Sequence, residues 1–192
     1  MNRTKDAIIE AFWQLLDERP YSKITVKDIV DRCHINRNTF YYHFHDIPEL
    51  LEISVRTETD YIIQKYSRFG SPLDCLEPLV ELSMKRRRAL LHIYRSIQRE
   101  VFLNQFERIA IHSVSRYIDT VAEDLILSED DRNLLIRFYK CIFVGVVLDW
   151  LDSGMSYDLV SRAQRLSELF GNPGNSALLL AAKGAPDSPA LA

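Results

Sequence analysis

The chain has 192 residues, of which 47% are apolar and 27% are charged. This is enough for one substantial core or a small and a larger one, and three scattered cysteines exclude a disulfide-rich secreted scaffold. The formal net charge is −3, and residues 1–51 carry seven Lys or Arg against eight Asp or Glu, so charge alone does not indicate a nucleic-acid partner.

Apolar residues recur at spacings of three and four along most of the chain, while sustained alternation with a period of two is absent. This pattern predicts an all-α fold, which we expect to contain about nine helices. Ile8, Phe12 and Leu16 mark the apolar face of the first helix, which should end before Pro20.

Two short helices are predicted next, with only three residues between them. Thr25 is expected to cap the first of the two, with Asp28 three residues later as a near capping box. Residues 34–36 form the break, and Asn36 is expected to cap a helix from residue 37 to about residue 44. Two short helices joined so tightly predict a helix-turn-helix.

Longer helices are predicted after this unit, over residues 46–66, as three helices between 73 and 125, and over 128–152 and 157–170. Gly154 is expected to end the helix that begins near Ser128. Residues 171–192 hold three of the six glycines and three of the seven prolines, so we predict a flexible tail. The longest apolar run, 141–150, is too short to span a bilayer, which needs roughly 20 residues.

The segments 24–30 and 35–44, with Glu49-Leu50 after them, resemble the DNA-binding motif of the TetR family of transcriptional regulators. The resemblance covers about residues 4–55. It implies a three-helix DNA-binding domain over 1–47 and a helical effector-binding and dimerisation domain over 48–170. It also implies a bacterial, cytoplasmic homodimer that binds double-stranded DNA, and we expect a repressor of a palindromic operator.

The resemblance assigns DNA-binding roles to individual residues. Base reading is expected from Lys27, Arg37 and Asn38, because Arg pairs with guanine and Asn with adenine in the major groove. Tyr42 is expected to add a contact to a thymine methyl group. The remaining members of the set, which are matched to phosphate-contacting positions or open the recognition helix, are Thr25, Asn36, Thr39, Tyr41 and His43.

Two positions depart from the family pattern. His34 stands where the family usually has a glycine, and we expect it to adopt the left-handed conformation of the turn at some cost. Ile47 stands where the family often has a phosphate-binding lysine. The alternatives are a solvated helix face and a metal site at His43 and His45. The metal site is disfavoured because residues two apart lie on different helix faces.

The segment 138–151 is apolar around nearly its whole circumference, so it needs packing partners on more than one side. Gly145 costs about 1 kcal/mol within a helix relative to alanine, which favours close approach of another backbone. The resemblance implies pairing of two copies through their last two helices; the alternative is a helix buried within one chain. The predicted dimerisation residues are Phe138, Cys141, Ile142, Gly145, Val146 and Trp150.

No motif marks an effector site. Residues 150–155 look like the corresponding segment of regulators of the dihydroxyacetone kinase group, which leaves a protein partner as the alternative to a small-molecule effector. Residues 85–88 are predicted to be a solvated basic helix face. The candidate pocket residues are Met84, His92, Tyr94, Phe106, His112 and Tyr117. The sequence contains no motif of an enzyme, so we expect no catalysis, cofactor or metal.

Overall fold

The computed structural model describes residues 3–66, 73–96, 99–122 and 127–170. Within these ranges the chain forms nine α-helices, one 3-10 turn at Tyr21–Lys23 and no β-strand, which confirms the all-α prediction. The predicted tail over 171–192 lies outside the described residues. The helices are α1 (Arg3–Glu18), α2 (Val26–Arg32), α3 (Arg37–His43), α4 (Ile47–Tyr66), α5 (Leu73–Lys85), α6 (Arg87–Ser96), α7 (Arg99–Val121), α8 (Glu129–Asp152) and α9 (Leu159–Phe170).

Polar caps set the starts of the short helices. Thr25 caps α2 in a full capping box, in which the Asp28 N–H donates to the Thr25 hydroxyl and the Asp28 carboxylate accepts from the Thr25 N–H. Asn36 caps α3, and Ser128 caps α8. The predictions of these three starts are confirmed. Each cap satisfies a backbone N–H that a helix leaves without an intrahelical partner.

The start of α9 was predicted two residues too early. Asp158 accepts hydrogen bonds from the N–H (3.0 Å) and the hydroxyl (2.6 Å) of Ser161, so the helix begins at Leu159 and not at Tyr157. The Ser161 hydroxyl holds the pKa of Asp158 below its ordinary value. At the other end of α8, Gly154 adopts a φ of +71° and ends the helix, as predicted.

The first core lies among α1, α2 and α3. Phe12, Ile29, Phe40 and Phe44 are completely or almost completely buried in it. The same core continues into α4 and into α6, which contributes Ala89. The boundary predicted at residue 47 therefore does not coincide with a gap in packing.

Helix α6 connects α1 with the turn between α8 and α9. On one side, His92 Nδ1 lies 2.7 Å from the carbonyl oxygen of Leu16 in α1. On the other side, the Arg87 guanidinium donates to the carbonyl oxygen of Gly154 from Nε (3.1 Å) and from a terminal nitrogen (2.5 Å). A movement of α6 would therefore change contacts both with α1 and with the turn between α8 and α9.

The prediction that residues 85–88 form a solvated face is wrong for Arg86, which is half-buried, whereas Lys85, Arg87 and Arg88 are exposed. Arg86 lies over the ring of Trp13, with the guanidinium carbon 4.2 Å from the ring centroid, and also pairs with Glu58. Arg87 binds Gly154, as described above. A guanidinium group can make both kinds of contact, because its plane stacks on an aromatic face and its several N–H groups donate to a carbonyl oxygen.

A second core lies where α6, α8 and α9 meet, and it contains Leu91, Leu151, Met155 and Leu159. Trp150 belongs to it as well, with 4% of its surface exposed and its indole N–H donating to the carbonyl oxygen of Tyr157. None of the described helices combines the length and the apolar character needed to cross a membrane.

Candidate nucleic-acid interface

Helix α3 presents one apolar face to the core and a polar, aromatic face to solvent. Phe40 and Phe44 point inward, and with 100° per residue Asn38 and Tyr42 lie on the opposite side. Arg37 is also exposed, at the first position of the helix. The exposed end and face of a short helix are what a major groove receives in a helix-turn-helix.

Two tyrosines stand out because they are large and poorly covered. Tyr42 is 84% exposed and Tyr41 is 55% exposed. Among the described residues, the Tyr42 ring meets the His43 ring edge-on at 5.0 Å between centroids, and the Tyr41 ring meets the Phe40 ring edge-on at 5.4 Å. Folding gains little from a side chain left in water, so these rings are better explained by contact with a partner.

The cations at this surface are of two kinds. Arg19 pairs with Asp28 at 3.3 Å, and Arg32 pairs with Glu18 through two hydrogen bonds of 2.7 and 2.8 Å. By contrast, Lys27 and Arg37 are exposed and form no ion pair with any of the described residues. Their charges are therefore available for phosphate or for guanine.

Two predicted phosphate ligands are engaged in the caps. The Thr39 hydroxyl donates to Asn36 Oδ1 at 3.0 Å, and the Thr25 hydroxyl donates to Asp28 Oδ2 at 2.6 Å. The bond from the Thr25 hydroxyl, followed by the one from the Thr25 backbone N–H, lowers the pKa of Asp28. A hydroxyl has one hydrogen, so a phosphate oxygen must compete with the cap for it. His43, the fourth predicted phosphate ligand, is half-buried beside Tyr42.

The turn between α2 and α3 depends on His34, whose φ is +54°. The left-handed conformation predicted for His34, at a position where the resemblance implies a glycine, is therefore confirmed. Beyond it, the Ile35 N–H donates to the carbonyl oxygen of Val30 at 3.0 Å, which closes the turn. Ile47 is half-buried against the first core and so contributes packing in place of charge.

A cavity of about 170 Å³ lies inside the helical domain, and nineteen residues from α4 to α9 line it. Of the predicted pocket residues, Phe106 alone is among them. Met84 is 44% exposed, His92 contacts α1, and the Tyr94 hydroxyl donates to Asp152 in α8. The prediction is wrong for these three.

His112 and Tyr117 of α7 were also predicted to line the pocket. His112 lies 2.8 Å from Asp60 of α4, and Tyr117 packs at a third core between α7 and α8. Sequence reasoning instead missed Gln105 and Ser113, which line the cavity. The sequence does contain an indication of both, because they are polar residues that interrupt the apolar stripe of α7 at helical spacing.

Part of α8 presents a row of uncovered residues, which we name the α8 stripe: Leu134, Phe138, Cys141, Ile142 and Gly145. Apart from the adjacent Cys141 and Ile142, successive residues are three or four apart, so the five share one face of the helix. A Cβ added at Gly145 would meet no atom within 4 Å.

The remaining two predicted dimerisation residues lie elsewhere. Val146 is half-buried against the second core, and Trp150 is inside that core. The predicted dimerisation role of Trp150 is therefore wrong, and the residue packs within its own chain. A side chain that is already buried has little accessible surface for contact with a partner.

Sequence profiles of two families match the chain. The profile described as bacterial regulatory proteins, tetR family, matches residues 8–52, and the profile described as transcriptional regulator C-terminal region matches residues 70–172. Among curated proteins, an uncharacterized HTH-type transcriptional regulator, YxbF of Bacillus subtilis (strain 168), is 26% identical over 164 residues. The match covers 81% of this chain and 41% of the relative, so this chain spans less than half of that protein's length.

Solved structures with similar folds include DhaS, described as a dihydroxyacetone kinase operon activator. It superimposes with a TM-score of 0.62 at 20% identity, covering 94% of this chain and 96% of its own. A TetR transcriptional regulator from Streptococcus agalactiae 2603V gives a TM-score of 0.49 at 24% identity, covering 83% and 93% of the two chains. The first of these similarities extends over the whole helical architecture.

Proposed function

This chain belongs to the TetR family of bacterial regulatory proteins, and from that premise we propose that it binds a palindromic operator as a homodimer and represses transcription until an effector releases it. The chain is a DNA-binding transcriptional regulator. The observation that carries the proposal is the outward face of α3, where exposed polar and aromatic side chains stand on a helix fixed by Phe40 and Phe44. Residues 1–47 would form the DNA-binding domain, and residues 48–170 the domain that dimerises and binds the effector.

For base reading, we assign Arg37, Asn38 and Lys27, with Tyr42 against a thymine methyl group. All four are exposed, and Arg37 and Lys27 have no carboxylate partner among the described residues. Thr25, Asn36, Thr39, Tyr41 and His43 would contact or position the phosphate backbone. Contacts of that second kind fix the register of a helix but carry no sequence information.

Arg37→Ala and Tyr41→Phe separate these two roles. We expect Arg37→Ala to cost about 1–3 kcal/mol on the specific site and to relax base preference at one position of each half-site. Tyr41→Phe removes only a hydroxyl, so it should weaken binding to all sequences more evenly. Fluorescence titration of both variants against the specific site and single-base variants of it measures the difference. Equal losses on every sequence for Arg37→Ala would contradict its assignment.

Support for the homodimer comes from the α8 stripe. Phe138 is 55% exposed and Ile142 is 46% exposed, and α9 adds Leu166 and Leu169, which are also exposed. Apolar side chains in a row at helical spacing are a typical interface between helices. The open space at Gly145 would admit the backbone of a second copy. Two-fold symmetry would then set the two α3 helices about one turn of DNA apart, roughly 34 Å.

A second candidate keeps the DNA-binding function but replaces the small effector with a protein partner. The cavity of about 170 Å³ favours it, because pockets for drug-sized ligands are commonly 300–1,000 Å³. Co-purification of the tagged protein from its host, with and without its operator DNA, tests this candidate. A stoichiometric partner that alters operator affinity would favour it over the small effector.

A further inference from the structure

The interior cavity has a wall composition that restricts what it will hold. It lies among α4 to α9, and the nineteen described residues that line it include no Asp, Glu, Lys, Arg or His. A charged ligand would lose its hydration there without a compensating partner, which is strongly unfavourable. Carboxylates, phosphates and amines are therefore excluded as occupants.

One polar group in this wall lacks a partner. Ser113 is 7% exposed, and its hydroxyl forms no hydrogen bond with any of the described residues. The other polar side chains of the wall donate elsewhere: the Thr59 hydroxyl to Val55 (2.6 Å), the Ser83 hydroxyl to Leu79 (2.7 Å) and the Gln105 amide to Pro48 (2.6 Å). A buried hydroxyl without a partner is costly, so Ser113 is the natural place for a ligand's polar atom.

The remaining contacts favour a flat ring. Phe102 and Phe106 stack with centroids 5.7 Å apart and an interplanar angle of 17°, and Phe143 follows at 6.0 Å from Phe106. An aromatic ligand would extend this series, since offset and edge contacts at 4.5–7 Å are favourable. The volume agrees, because an apolar cavity of about 150 Å³ holds a benzene molecule.

We propose that the cavity binds an uncharged, single-ring aromatic molecule that carries one hydrogen-bonding oxygen, with Ser113 as its polar contact. Leu90 and Ile93 of α6 line the same cavity, and neighbouring His92 contacts α1. A filled cavity thus acts on the helix that supports the DNA-binding domain. This regulatory consequence rests on the function proposed above, whereas the binding itself does not.

Phenol and toluene are suitable probes, because they have the same size and differ in one hydroxyl group. Calorimetric or NMR titration of the full chain should show phenol binding about fivefold more tightly than toluene, with benzoate not binding. In Ser113→Ala the phenol affinity should fall about fivefold while the toluene affinity stays the same. Ser115→Ala, on the same helix but outside the cavity wall, should leave both affinities unchanged.

Several outcomes would overturn the proposal: no binding of either aromatic probe, equal affinity for both, or tight binding of benzoate. Ser113→Ala removes one atom from a group that has no partner, so its fold is retained, and circular dichroism verifies this. Operator titration with and without phenol is a separate measurement. Operator binding without phenol binding refutes the cavity proposal alone, and phenol binding without operator binding refutes the proposed function alone.

Discussion

His34 is held in a left-handed backbone conformation, with a φ of +54°, in the three-residue turn that sets α3 against α2. An L-residue with a side chain pays about 1–2 kcal/mol for this conformation, whereas glycine does not. The side chain of His34 is exposed and adds no core packing in return. The local cost is therefore compensated by the packing of Phe40 and Phe44.

His34→Gly should therefore stabilise the protein. We expect the free energy of unfolding to rise by about 0.5–1 kcal/mol. The substitution relieves the backbone strain of the folded state, and the greater conformational entropy of glycine in the unfolded chain offsets part of that gain. His45→Gly is the matched control, because His45 is exposed but not left-handed, and it should lose stability. Urea unfolding of both variants measures the change. A His34→Gly protein less stable than the parent would refute the strain argument.

Asp28 gives a pH-dependent prediction. Its pKa is lowered by the Thr25 hydroxyl and N–H, and then by Arg19. A lowered folded-state pKa means stability that is present above the unfolded value of about 3.9 and is lost as the pH falls through the folded value. At pH 7, Asp28→Asn should be less stable by about 1 kcal/mol, since a charged acceptor bonds more strongly than a neutral one.

The stability difference between Asp28→Asn and the parent should stay constant from pH 7 to about pH 5 and shrink below about pH 4. Asp31→Asn, which removes an exposed carboxylate of the same helix outside the cap, is the control. Thermal unfolding over this pH range is the measurement. A difference that grows on acidification would have the wrong sign for the capping-box account.

At the scale of helices, the sequence predicts the starts that polar caps define. Thr25, Asn36 and Ser128 each accept a hydrogen bond, through a side-chain oxygen, from the backbone N–H three residues later in the chain. Because this geometry is local, it can be predicted from the sequence. The cap at Asp158 works in the same way and was overlooked. Pro78 lies inside α5, so a proline does not mark a helix boundary here.

The pocket was poorly predicted because it is not a property of any one helix. Met84, Tyr94 and Tyr117 are large side chains at helical spacing, which is why they were predicted to line a pocket, yet the cavity wall is assembled from six helices and is mostly Leu, Val, Ile and Phe. Which apolar residues meet an empty space depends on how these helices pack. Trp150 shows the same limit, because its burial is decided by α6 and α9.

Gly145→Leu tests the α8 stripe as an interface. Since a Cβ at this position meets no atom of the described residues within 4 Å, we expect the fold of the single chain to be retained. If a second backbone lies there, the leucine overpacks the interface and the protein should become monomeric with reduced operator affinity. Sedimentation equilibrium measures the change. Gln64→Leu, which adds an exposed leucine on α4, should remain dimeric.

A Gly145→Leu protein that stays dimeric and binds its operator as the parent does would refute this interface. A parent protein that is monomeric at micromolar concentration would refute dimerisation itself, since a single short recognition helix buries too little surface for specific binding alone. The two outcomes are distinguished in the same sedimentation run.

At the scale of the whole molecule, contacts run from α3, the proposed DNA-reading helix, through α1 and α6 to the end of α8. The first core joins α3 to α1 and α6, and Arg87 of α6 holds the carbonyl of Gly154 at the end of α8. The net charge of −3 is compatible with DNA binding, because Lys27 and Arg37 are exposed and form no ion pair with any of the described residues. For DNA binding, the positions of these side chains therefore matter more than the net charge of the whole chain.

The central claim is that two copies read a two-fold symmetric site through Arg37 and its neighbours on α3. Selection of bound sequences from random double-stranded DNA tests it most directly, with the parent and Arg37→Ala proteins run in parallel. The account predicts an inverted repeat with half-site centres about one helical turn apart, and loss of preference at one symmetric pair of positions in Arg37→Ala. Enriched sequences without two-fold symmetry, or identical sequences from both proteins, would contradict it.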